Sequence, residues 1–195
     1  AIAGLQRLVA PLPLRQALPM TPEVIKQLVS NAPLCLRAGL MICWKTASRW
    51  GEVALLSRSS VIASSPSEVI ISWGTATKTT KRNPFRPQNY TVIRGRWTNL
   101  IHEHFQKNVQ ATSYSTEDLR RYLAQHAPSH TAHSLKRGAL LEATAIVEKH
   151  DLPLILLSRL AKHQADADLP TTTVRYSSGP ALARALGTGR ITKFL

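Results

Sequence analysis

From Leu34 to Lys45 the chain reads Leu-Cys-Leu-Arg-Ala-Gly-Leu-Met-Ile-Cys-Trp-Lys, nearly all apolar. No apolar run in the sequence reaches the length of a membrane span, so this segment is expected to be a helix buried inside the protein. Everything on either side has to be arranged around it. The 195 residues suffice for one domain with a substantial core and are too few for two full domains.

Residues 1–20, with three prolines among residues 1–19, read as a linker or arm, and residues 21–195 as the domain. Thr21 offers an N-cap, Pro22 suits the first helical position and Glu23 complements the dipole, predicting a helix through Leu28 and Val29. Ser48 is a candidate cap for a helix over 49–56. The period then changes. Residues 69–73 and 90–93 read as strands around a basic turn at 75–83. Helices are expected over 97–108, over 116–125 behind a Ser115-x-x-Asp118 capping box, and over 132–149, 153–161 and 180–186. The predicted class is mainly α with a small antiparallel β-sheet.

With 25 Lys+Arg against 11 Asp+Glu, the formal charge is +14. Such an excess repels itself in the folded state, and an extended polyanion relieves it. No basic amphipathic terminal helix stands out, so a membrane surface is the less favoured anionic partner. Cys35 and Cys43 lie too far apart along one helix to pair, and both are expected to be buried thiols in a reducing compartment. The first residues lack the order of a signal peptide.

Five short boxes carry the candidate chemistry, and each has an ordinary structural reading when taken alone. Arg49 falls at a helix start, where free N–H groups and a guanidinium favour an anion, and Glu52 one turn on can hold it. Lys78, in Thr77-Lys78-Thr79-Thr80-Lys81-Arg82, lies between the two strands, where a lysine can donate its proton to a leaving alkoxide. His133, Lys136 and Arg137 are related as i, i+3 and i+4, so all three can face one anion, and Gly138 permits close backbone approach. His163 ends an apolar helix and can donate to a phosphate. Tyr176, in Thr-Thr-Thr-Val-Arg-Tyr-Ser, can attack a phosphodiester as a phenolate without metal or ATP.

In this order the boxes resemble the catalytic domain of the tyrosine recombinase/integrase family, over about residue 21 to the end. Thr46-Ala47-Ser48-Arg49-Trp50-Gly51-Glu52-Val53 is similar to the family's first arginine box, with Ala47 in place of a glycine. Thr77-Lys78-Thr79 resembles its lysine turn, His133-x-x-Lys136 its H-x-x-R box, Leu160 to His163 its L-G-H/W box, and Tyr176 its nucleophile. The His-Ser-x-basic-Arg-Gly form is closer to recombinases of eukaryotic mobile elements than to bacterial ones.

The resemblance implies DNA cleavage and rejoining through a 3′-phosphotyrosyl intermediate, as in site-specific recombination or integration. Arg49, Lys136 and Arg137 would neutralise the phosphate, His133 and His163 would donate hydrogen bonds or move protons, and Lys78 would protonate the 5′-oxygen. Lys81, Arg82, Arg86, Lys162 and Arg175 are the expected DNA contacts. It implies no cofactor and no metal, double-stranded DNA as partner, and synaptic tetramers, with 179–195 a candidate for packing on a neighbour. The location would be the nucleus in a eukaryote and the cytoplasm otherwise.

Three departures qualify this. Lys136 stands where the family has arginine, and a lysine does not reproduce bidentate phosphate binding. The interval from His163 to Tyr176 is long, with 164–170 reading as an inserted loop, and the family's N-terminal core-binding domain is missing. The alternatives are a catalytically decayed DNA-binding domain of the same fold and, less favoured for want of a coiled-coil linker, a type IB topoisomerase. The histidines, including His102, His104, His126 and His130, match no zinc spacing. No glycine-rich nucleotide loop and no convincing serine or cysteine hydrolase pattern is found.

Overall fold

The computed structural model describes residues 17–74, 90–162 and 180–195, except the side chains of residues 181, 182 and 185. Lys78, Lys81, Arg82, Arg86, His163, Arg175 and Tyr176 lie outside the described residues, as do the basic turn at 75–83 and the loop at 164–170. The described part is mainly helical with one three-stranded antiparallel sheet.

Helix α1 spans Pro22–Asn31, and Thr21 caps it by accepting from the Val24 N–H at 3.4 Å. Helix α2, Leu34–Lys45, is the expected buried helix, with every residue from Ala38 to Lys45 buried. Leu36, Leu40, Ile42 and Trp44 belong to the main apolar cluster, whereas Leu34 at the helix start is exposed. Each large apolar side chain fully removed from water stabilises by roughly 1.5–3 kcal/mol. Both cysteines are free, as expected, but only Cys43 is buried and Cys35 is half-buried.

The expected helix over 49–56 is a single turn, α3, Trp50–Val53, and Arg49 rather than Ser48 is its N-cap. The Ser48 hydroxyl is engaged elsewhere, with Thr46 and Lys162. Glu52 takes over the cap from inside the helix, its carboxylate accepting from the Arg49 N–H at 2.9 Å.

The sheet runs β1 (Val61–Ser65), β2 (Glu68–Ser72), β3 (Tyr90–Arg94) in spatial order. Strand β1 was not expected. Its polar residues hide the alternation, but the Ser65-Pro66-Ser67 turn ahead of Val69-Ile70-Ile71 is a hairpin signal. Val69, Ile71 and Ile93 face the main core, while Ile70, Val92 and Tyr90 pack with Ala183. The uninterrupted apolar run in β2 thus reflects a strand covered on both faces.

Helices α4 (Thr98–Lys107), α5 (Thr116–His126) and α6 (Ala132–Lys149) fall close to expectation. The Ser115 hydroxyl accepts from the Asp118 N–H at 3.1 Å, and Asp118 accepts from the Ser115 N–H at 3.0 Å, closing the predicted box. Helix α7, Ile155–Ala161, begins two residues later than expected, and α8, Pro180–Ala185, is followed by an unexpected turn, α9, Gly189–Thr192.

Residues 180–195 pack on the chain's own β3, whereas 179–195 was a candidate for contact with a neighbour. Thr188 Oγ1 accepts from the Val92 N–H at 2.9 Å, and Thr192 Oγ1 accepts from the Arg94 N–H at 3.1 Å while donating to the Val92 carbonyl at 2.7 Å. These hydroxyls satisfy the outer edge of β3 as a fourth strand would. The buried Lys45 ammonium fastens the arrangement by donating to the Thr192 carbonyl at 2.6 Å and the Arg94 carbonyl at 3.1 Å. Among the described residues no helix is long and apolar enough to cross a membrane.

Candidate functional site

The α2–α3 turn sets up the site. Ala47 is fully buried at φ 46°, a left-handed conformation that turns the chain sharply after α2 and brings Arg49 to the surface. Glu52 Oε1 accepts from Arg49 Nη1 at 3.0 Å, with the arginine side chain 46% and the glutamate 8% exposed. Glu52 therefore acts as the expected orienting partner, fixing the guanidinium from beneath.

The first turns of α6 supply the opposing wall. Arg49, Thr131, His133, Lys136, Arg137, Leu140 and Ala17 line one open pocket of about 690 Å³. His133 is exposed, and Lys136 and Arg137 are half-buried. Lys136 Nζ donates to the Ala161 carbonyl at the end of α7, at 3.2 Å, and Arg137 Nη1 donates to the Ala17 carbonyl at 3.0 Å. Burial pulls the Lys136 ammonium below its ordinary pKa, and the Arg49 cation adds to the pull. Gly138 permits the close approach expected of it, since the Met20 carbonyl oxygen lies 2.0 Å from where a β-carbon would sit.

Lys162 departs from expectation. Read from sequence as a DNA contact, it is 5% exposed. Its ammonium donates to Ser48 Oγ at 2.7 Å and to the Thr46 carbonyl at 3.0 Å, and lies 4.2 Å from the Trp73 ring centroid. The residue ends α7 at φ 56°, a left-handed position that helix ends usually give to glycine. A long side chain starting there is directed inward, and three buried groups hold it. Burial lowers its pKa to about 7, against the opposing pull of Glu52, with Lys136 and Arg49 adding to the lowering. Cys43 nearby is pushed up to about 12 by burial, and its thiol donates to the Ser48 carbonyl at 3.0 Å.

Lys162 thus joins three places by one side chain: the turn before Arg49, the end of α7 and Trp73 just beyond β2. The only sequence signal for this was a lysine closing an apolar helix, which is ordinarily read as a solvated dipole partner.

Comparison with protein-family models, with curated proteins and with solved structures finds no match to this chain. Its chemistry is therefore read from the site itself. The pocket brings together Arg49, His133, Lys136 and Arg137 from two distant parts of the sequence, with Glu52 behind them. Guanidinium and ammonium donors facing one pocket suit an oxyanion whose charge grows during reaction.

Proposed function

We propose that this chain is the catalytic domain of a tyrosine-type DNA recombinase or integrase. One observation carries the reading: Arg49 and the His133-x-x-Lys136-Arg137 box, far apart in sequence, line a single basic pocket. The Ala161 carbonyl at the end of α7 accepts from Lys136, which ties that helix end to the pocket wall and supports the reading.

In the proposed reaction the Tyr176 phenolate attacks a phosphodiester phosphorus. A phosphotyrosyl ester forms, the bond to the 5′-oxygen breaks, and that oxygen takes a proton from Lys78. Arg49, Lys136 and Arg137 offset the charge on the non-bridging oxygens, while His133 and His163 donate hydrogen bonds. The ester keeps the bond energy, so rejoining requires no cofactor. Double-stranded DNA is the partner, with synaptic self-association on it, in the nucleus of a eukaryote or the cytoplasm otherwise.

A second reading, a DNA-binding domain of this fold that no longer cleaves, is favoured by one feature. Lys136 and Arg137 each donate to a backbone carbonyl of their own chain, which diverts part of their charge from the pocket. A nicked suicide duplex distinguishes the two. A covalent protein–DNA adduct on a denaturing gel, lost in Tyr176→Phe while DNA binding persists, is expected for the enzyme. Binding without an adduct selects the decayed domain, and an adduct that survives Tyr176→Phe rules out the nucleophile.

A further inference from the structure

Residues 17–20, Ala-Leu-Pro-Met, run across the first turns of α6 and contribute to the wall of the basic pocket. Met20 is the fixed end. It is buried in the main apolar cluster, its N–H donates to the Ser134 carbonyl at 3.1 Å, and its own carbonyl lies so close to Gly138 that a β-carbon there would collide with it. At the other end the Ala17 carbonyl accepts from Arg137 Nη1 at 3.0 Å, and Ala17 lines the pocket beside that arginine. We propose that residues 17–20 are a positioning strap, which holds the Arg137 guanidinium ready to meet a phosphate oxygen.

Pro19 makes the strap stiff. Its ring locks its own φ and confines Leu18 to extended backbone, so few torsions separate the buried Met20 from the carbonyl that holds Arg137. Leu18 is exposed, Pro19 is half-buried, and neither lines the pocket, so their effect on the arginine passes through the Ala17 carbonyl. A guanidinium carries several N–H donors, and one bond to a carbonyl orients it while leaving donors for an oxyanion. An unheld arginine gives up rotamer freedom when a ligand binds, whereas a held one has already done so. Lys136, one position back, is held in the same way by the Ala161 carbonyl at 3.2 Å. The two cations of the box are thus set by two separate segments, the end of α7 and the strap.

This role rests on the pocket taking a DNA phosphate, and it names what fixes one of the donors. Pro19→Gly loosens the strap without removing a pocket group or a side chain of the main cluster. Adduct formation on a nicked suicide duplex is measured for wild type, Pro19→Gly, Arg137→Gln and the double variant. With the strap acting through Arg137, Pro19→Gly slows adduct formation about tenfold in the wild-type background, the loss of one oriented charge-assisted contact. In the Arg137→Gln background it changes nothing further, because coupled residues are not additive. Gly138→Ala, which displaces the strap at Met20, should show the same dependence on Arg137.

A strap with a purely structural role slows both backgrounds by the same factor, and that result overturns the proposal. A Pro19→Gly rate equal to wild type does so too. Absence of an adduct from wild type overturns strand cleavage alone, and the same four proteins are then compared by their affinity for intact duplex. Weakening by Pro19→Gly only where Arg137 is present upholds the strap; equal weakening in both backgrounds, or none, overturns it.

Discussion

Lys162 Nζ donates to Ser48 Oγ at 2.7 Å, tying the end of α7 to the turn that presents Arg49. An ammonium buried this way serves the architecture of the pocket and makes no contact at its surface. Lys162→Met should destabilise the fold by about 1–3 kcal/mol, because the Thr46 carbonyl loses a buried donor. Urea denaturation measures this. A surface phosphate contact would contribute about 0.9 to the salt slope of DNA binding, so the buried position predicts an unchanged slope in Lys162→Met.

Stability should also depend on pH above neutrality. Burial lowers both Lys162 and Lys45 to about 7 in the folded chain, against an ordinary value of 10.5, and Arg96 adds to the lowering at Lys45. Between those values the unfolded chain holds more protons, so stability rises with pH from about 7 to about 10.5. As pH falls through 7 this contribution is lost. Denaturation across that window should show the rise, and Lys45→Met should show a smaller one. A flat wild-type profile would refute the assignment.

On the recombinase reading, Lys136 and Arg137 share the role of the second arginine. Lys136→Ala and Arg137→Ala should each slow strand cleavage by on the order of 10²–10³. Lys136→Arg should cleave at least as well as wild type, since a guanidinium matches two phosphate oxygens. Because Lys136 titrates below the ordinary lysine range and arginine does not, Lys136→Arg should retain activity to higher pH. Cleavage unaffected by both alanine variants would exclude the box from the active site. An inert wild type revived by Lys136→Arg would establish the decayed domain.

Gly138 and Gly51 make an internally controlled pair. A β-carbon at Gly138 would sit 2.0 Å from the Met20 carbonyl oxygen, whereas one at Gly51 would meet nothing within 4 Å. Gly138→Ala must push the 17–20 segment off α6, costing about 1–3 kcal/mol and disturbing the pocket wall formed by Ala17. Gly51→Ala, in helix α3, should be neutral or stabilising by roughly 0.5–1 kcal/mol. Equal effects in thermal or urea denaturation would contradict the packing described for α6.

The sequence was informative where the controlling interactions are local. Thr21 and the Ser115–Asp118 box marked helix starts because a cap is made within one turn, and α2 was evident because an apolar run has to be covered. His133, Lys136 and Arg137 share a helix face by spacing alone, and the first turns of α6 bring them to one pocket. Ser48 and Lys162 were misread for the opposite reason. Each looked like an ordinary end-of-helix residue, and only their meeting, more than a hundred positions apart, buries the lysine and removes the serine from capping duty. The same holds for Lys45 and the terminal threonines: by composition they are solvent-facing, and they became interior groups once folding set an unpaired strand edge and two carbonyls against them. Local preferences thus chose the elements and their charged faces. The burial of individual polar groups, and with it their pKa values and the grouping of Arg49 with α6, was decided by tertiary packing, because desolvation and long-range hydrogen bonding exist only after distant segments meet.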